Sequence, residues 1–136
     1  MVEYKYKILV IDNDKKVINL IKNYFQEEFK IISAFDGKKG LKKIDNKNID
    51  MVIMDIELNE INGWKLCKNL RKDNNIPIII LSNKNSDSHK IKGIKLGADD
   101  YITKPFNPEE LIVRTKSILQ RVYENNKKSN DNYIKK

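Results

Sequence analysis

Several short apolar runs in this 136-residue chain end on groups suited to cation and phosphoryl chemistry. Ile8-Leu9-Val10-Ile11 runs into Asp12-Asn13-Asp14, and Met51-Val52-Ile53-Met54 runs into Asp55. Ile78-Ile79-Ile80-Leu81 ends at Ser82, and Tyr101-Ile102-Thr103 ends at Lys104-Pro105. If these runs are parallel strands of an open α/β sheet, their carboxyl ends share one edge, where ligands bind in such sheets. Carboxylates gathered with one ammonium have the composition for Mg2+, which takes one or two carboxylates plus phosphate oxygens. Phosphoryl transfer needs positioning and charge neutralisation more than covalent help. A carboxylate nucleophile at Asp55, beside other carboxylates, needs cations to admit an anionic donor, and Mg2+ with Lys104 would supply them.

The elements that must position these residues alternate five times. Residues 5–11 read as a first strand. Val17, Leu20, Ile21, Tyr24 and Phe25 then recur at helical spacing. Residues 30–34 read as a second strand, and Asp36 can cap a helix with Leu41 and Ile44 on its apolar side. Residues 49–54 form a third strand whose apolar density predicts burial on both faces. Trp64, Cys67 and Leu70 mark one face of the next helix, and residues 77–81 a fourth strand. Ser86 or Asp87 can start a helix that carries Ile91 and Ile94 and stops at Gly97. Residues 100–103 form a short fifth strand. Asn107-Pro108-Glu109-Glu110 is a strong helix start, with a cap, a first-turn proline and acids at the positive dipole end, and that helix should run to about Val122. Alternating βα units imply an α/β fold: a doubly wound parallel sheet with right-handed crossovers and helices on both faces.

One domain accounts for this length. No apolar run approaches the roughly 20 residues of a membrane helix, and the polar start shows no secretory signal. Cys67 is the one cysteine, which excludes an internal disulfide and fits a cytoplasmic protein. It reads as a helix core residue, Trp64 as packing, and His89 as a surface residue. The net charge is +8. Its lysines are spread over most segments with no dominant tract, which predicts solubility and weak nonspecific binding of anions. From Glu124 onward the chain has a linker composition.

Gly97-Ala98-Asp99-Asp100-Tyr101-Ile102-Thr103-Lys104-Pro105-Phe106, taken with Asp12, Asp55 and Ser82 in order, resembles the receiver domain of two-component response regulators. The resemblance covers about residues 5 to 122. It implies a CheY-like, flavodoxin-like (βα)5 sheet of strand order 2-1-3-4-5, with the receiver over 1–123 and a linker or tail over 124–136. It also implies that Asp55 takes a phosphoryl group from a sensor histidine kinase or small donor. By the same resemblance, Asp12 and the backbone carbonyl of Glu57 help Asp55 hold Mg2+, Ser82 and Lys104 contact the phosphoryl group, and Tyr101 is a switch aromatic coupled to Ser82. It implies no enzyme beyond the domain's own phosphorylation and dephosphorylation. One position departs from the pattern: Asn13 stands where the family usually has a second acid. An amide oxygen can still ligate, so weaker Mg2+ affinity is expected. Asp14 should start the first helix, and Glu57 and Lys84 could pair over the site.

The segment Glu110-Leu-x-x-Arg114, with Lys90, Asp99 and Asp100, resembles OmpR/PhoB-type transcriptional regulators, whose receivers dimerise through the fourth helix, fifth strand and fifth helix. That implies homodimer pairs of Lys90 with Glu110 and of Asp100 with Arg114. It also implies a C-terminal winged-helix domain for DNA, absent from this chain, as a fragment or a natural single-domain receiver would lack it. Two other readings compete. Asn13 allows an atypical receiver that binds partners without phosphorylation. Asp12-Asn13-Asp14 and the late acids also mimic a haloacid-dehalogenase-type phosphatase, but Lys15 stands where that family usually has Thr or Val, Lys104 follows the acids instead of preceding them, and no cap insertion is present.

Overall fold

The computed structural model describes residues 4–46, 48–59, 61–73 and 75–125. The expectations for the tail over 126–136 lie outside them. Five parallel strands, β1 (Lys7–Ile11), β2 (Lys30–Ala34), β3 (Met51–Met54), β4 (Ile78–Ser82) and β5 (Asp100–Thr103), form one sheet in the order β2-β1-β3-β4-β5. The helices between and after them are α1 (Lys15–Phe25), α2 (Gly37–Asn46), α3 (Gly63–Asp73), α4 (Asp87–Lys95) and α5 (Pro108–Leu119). A π-helical segment, Gln120–Asn125, extends α5.

Side-chain alternation along the strands builds two cores. Ile8, Val10, Met51, Ile53, Ile79 and Leu81 point to one face and meet Ile18, Ile21 and Phe25 of α1 and Leu111 and Ile118 of α5. Leu9, Ile11, Val52, Met54, Ile78 and Ile80 point to the other and meet Ile44 of α2 and Leu66, Cys67 and Leu70 of α3. All residues of β3 and β4 are buried, as their unbroken apolar runs require in a sheet covered on both sides. Cys67 is fully buried, as expected. Among the described residues no helix is long and apolar enough to cross a membrane.

Caps hold where their residue types predicted them. Asp14 Oδ1 accepts from Lys16 N at the start of α1, Asp36 Oδ1 from Lys39 N at α2, and Asn107 Oδ1 from Glu109 N at α5. Ser86, rather than Asp87, caps α4, and Gly97 with φ 108° follows its end. Ile91 and Ile94, carried by α4, are 53% and 49% exposed; α4 turns Gly93 toward the sheet. Glu124, where the linker composition begins, is tied back toward the sheet. Tyr6 Oη donates to Glu124 Oε2 at 2.9 Å, the Tyr6 and Tyr123 rings stack at 5.6 Å, and Tyr123 Oη donates to the Asp50 carbonyl at 2.6 Å. This latch closes the amino edge of the sheet.

Candidate functional site

Strand register brings the carboxyl-edge residues together. Ile11 stands beside Met54 and Ser82 beside Thr103, so the next residues, Asp12, Asp55 and Lys104, emerge near one another. Backbone bonds fix them: Asp12 N donates to Ala34 O at 3.1 Å, Asp55 N to Ile11 O at 3.0 Å, and Lys104 N to Ser82 O at 2.8 Å. Gly63 closes the loop after β3. A Cβ there would sit 2.4 Å from the Ile56 backbone, so only glycine lets α3 begin this close to the site.

Lys104 Nζ lies 2.7 Å from Asp12 Oδ2 and 2.7 Å from Asp55 Oδ2. The two aspartates are 1% and 4% exposed. One ammonium therefore clasps two buried carboxylates, leaving the trio one negative charge in excess. Burial pushes the Asp12 carboxyl above its usual range, against the hydrogen bonds from Lys104 and the Asp14 amide. Burial disfavours the Lys104 charge, but its bonds to both aspartates outweigh that and hold the ammonium above its usual range. Such a trio attracts cations, and a donor anion meets it with one charge already in place.

The remaining expected residues ring this clasp. Ser82 is fully buried, and its Oγ accepts from Lys84 N at 3.1 Å. Glu57 N donates to Asp55 Oδ1 at 3.1 Å, and Lys84 Nζ reaches Glu57 Oε1 at 4.0 Å, the pair expected over the site. Asn13 is exposed and lines, with Asp55, Glu57, Lys104 and Phe106, a cleft of about 470 Å3. Tyr101 is half-buried, its Oη bonded to the Lys84 carbonyl at 2.5 Å. The Lys104–Pro105 peptide bond is cis.

The expected dimer-face residues are placed less uniformly. Arg114 bonds within its own chain to Asp100 at 3.0 Å and to Glu110 at 3.1 Å. Lys90 lines a groove of about 200 Å3 with Glu110 and Arg114. Asp99 is turned inward: its Oδ2 accepts from Arg71 at 2.9 Å and from Ile78 N at 2.8 Å. The Arg71 link from α3 has no local sequence signal, because its partners Gly97 and Asp99 lie more than 20 residues away. Trp64 and His89, read as packing and surface residues, stack on each other at 6.3 Å.

Comparison with known proteins agrees with this fold. Residues 8–116 match the model of the response regulator receiver domain. The chain is 38% identical over 117 residues to the alkaline phosphatase synthesis transcriptional regulatory protein PhoP of Bacillus subtilis, covering 85% of this chain and 49% of that protein. It superposes on the receiver domain of the Francisella response regulator 1452 with TM-score 0.82 and 43% identity, covering 86% of this chain and 98% of that one. It superposes on DrrB, a Thermotoga maritima OmpR/PhoB homolog, with TM-score 0.79 and 32% identity, over 85% of this chain and 53% of that one. The chain spans about half the length of the curated relatives it matches. With its strand order, its carboxyl-edge aspartates and these matches, the chain belongs to the response regulator receiver domain family.

Proposed function

We propose that Asp55 accepts a phosphoryl group and that the event alters the face formed by α4, β5 and α5. The observation that carries this reading is a buried carboxylate at the end of β3, held by Lys104 and facing an open cleft. An Asp55 oxygen bonds to phosphorus as the P–N bond of a phosphohistidine breaks. The imidazole keeps the bonding pair, and the product is an acyl phosphate. A sensor histidine kinase in the cytoplasm is the donor on this reading; acetyl phosphate is a small substitute. Lys104 and the Ser82 hydroxyl would meet the phosphoryl oxygens, and Tyr101 would leave its Lys84 contact and turn inward.

Two buried carboxylates fit Mg2+, which binds through one or two of them when phosphate supplies further oxygens. Among the described residues no group of three or more His, Cys, Asp or Glu could hold a metal, so the set is lean. Asp12, Asp55, the Glu57 carbonyl and the Asn13 amide oxygen would hold the ion, and Asn13 in place of an acid predicts weaker affinity. Bound Mg2+ supplies positive charge against the phosphoryl oxygens.

In a phosphorylated homodimer, Arg114 would exchange its own Asp100 for that of a second copy, and Lys90 would meet Glu110. A winged-helix domain following the receiver in a longer protein would then carry the signal to DNA and transcription. Incubation with acetyl phosphate and Mg2+, beside Asp55→Asn, tests the central step by intact mass. One added phosphoryl on the parent and none on the variant is expected. Absence of labelling in both, with rapid hydrolysis excluded, would favour the phosphorylation-independent binding module that Asn13 allows.

A further inference from the structure

Six of the lysines that look scattered in sequence lie on two neighbouring helices. α2 and α3 cover the same side of the sheet, and a Cβ at Gly37 would touch Ile61 and Leu66, so the start of α2 abuts α3. The exposed side chains described on these two helices are six lysines, Lys38, Lys39, Lys42, Lys65, Lys68 and Lys72, together with Asp45 and Asn69. Among the described residues none of the six has a carboxylate within ion-pair distance. The acids in the two helix sequences are Asp45 and Asp73, both in the last turn. The opposite layer is mixed: Lys116 pairs with Glu28 at 2.6 Å and Arg114 with Asp100 and Glu110, while Lys15, Lys16 and Lys22 of α1 have no ion pair among the described residues. Lysines three and four apart on a helix are neighbours, and like charges so placed destabilise it. The arrangement therefore brings the helices no local stability.

We infer that the α2–α3 face binds the phosphate backbone of duplex DNA without reading its sequence. Lysine is a point charge suited to phosphate and poor at base readout. Single-stranded nucleic acid would need exposed aromatic platforms, and Trp64, the one aromatic residue of these helices, is occupied by His89 and by Lys92 at 4.7 Å from its ring. An anionic membrane would need apolar anchors among the lysines, and α2 and α3 expose no large apolar side chain. An acidic protein partner would need a buried apolar or aromatic centre, which this face also lacks. The inference is independent of Asp55: a domain that never takes a phosphoryl group would still carry the face.

The test is fluorescence anisotropy of a random-sequence 25-base-pair duplex titrated with the whole chain at 50 and 200 mM KCl. Binding at 50 mM is expected, weakening at least tenfold at 200 mM, since each neutralised phosphate adds about −0.9 to the slope of log K against log salt. A triple variant, Lys42→Gln with Lys65→Gln and Lys68→Gln, should weaken binding about tenfold and flatten the slope by about 1 per lysine. The control removes equal charge from the other layer: Lys16→Gln with Lys22→Gln and Lys116→Gln, expected to change binding less than twofold. Circular dichroism verifies folding of both, and single substitutions replace any triple that unfolds. No binding at 50 mM, or equal losses in the two triples, overturns the inference. Polyglutamate or phosphatidylserine vesicles bound more tightly than duplex at equal charge would reassign the face and overturn it as well.

Discussion

The two edges of the sheet solve opposite problems with similar numbers of polar groups. At the carboxyl edge, Asp12, Asp55 and Lys104 are charged, buried and one negative charge out of balance. At the amino edge, Tyr6, Tyr123 and Glu124 close the fold with two hydroxyl bonds and a ring stack, and Lys5 balances Glu124 at 3.2 Å. Buried charge that is incompletely compensated costs stability but readily receives a further cation; satisfied hydroxyls hold a segment in place and offer nothing to a ligand. The same sheet thus keeps its reactive charge and its fastening at opposite ends.

The largest expected effect breaks the carboxyl edge. Lys104→Met leaves two buried carboxylates facing each other and should cost about 3 kcal/mol at pH 7 in urea unfolding. Part of that loss should return at pH 5, because Asp12 protonates more readily in the fold than in the unfolded chain. A change under about 0.5 kcal/mol would mean that the ammonium does not clasp the pair. Asp12→Asn should do the reverse, stabilising the metal-free protein by about 1 kcal/mol at pH 7. The sign follows from linkage. A carboxyl whose folded pKa is raised binds its proton more tightly when folded, so stability falls as pH rises through that pKa. The gain of the variant should vanish below about pH 3.8, where the wild-type carboxyl is protonated in both states.

The amino edge should respond separately. Tyr123→Phe removes one hydrogen bond and should cost about 1 kcal/mol, with faster amide exchange over residues 120–125 and unchanged labelling of Asp55 by acetyl phosphate. A drop in labelling would show that the edges are coupled. Burial and the Glu124 bond push the Tyr6 hydroxyl up to about 12. This raised pKa makes its contribution intact below pH 10 and lost as pH climbs toward 12, detectable as a late component of tyrosinate absorbance that Tyr6→Phe reduces; burial raises Tyr101 and Tyr123 as well, so the late absorbance does not vanish. The smallest effect sharpens the contrast: Lys84→Ala breaks a half-exposed pair at 4.0 Å and should change stability by under about 0.5 kcal/mol.

Much of this was legible in the sequence, for identifiable reasons. The runs of β3 and β4 are apolar on both faces, so their central place was readable, and Asp55 and Lys104 stand at run ends where parallel topology must gather them. What escaped depended on distance along the chain or on topology. Tyr6 and Tyr123 are far apart in sequence, and a tail composition beginning at Glu124 gives no sign that Glu124 returns to Tyr6. Asp99 looked like surface charge because Arg71 comes from another helix. The lysines of α2 and α3 share a face only because both crossovers lie on one side of the sheet. Ile91 and Ile94 have helical spacing, yet α4 docks by a glycine that periodicity cannot weigh.

That glycine ties two parts of the molecule through volume. A Cβ at Gly93 would lie 2.8 Å from Tyr101 Cδ2 and 3.0 Å from Ile80 Cδ1. The Tyr101 ring therefore fills the space a larger residue on α4 would have taken. If the ring departs, the helix has no side chain there to replace it, and the gap closes only by movement of the backbone. A ring and a helix that share one space cannot be displaced independently, so the position of α4 becomes a mechanical readout of Tyr101.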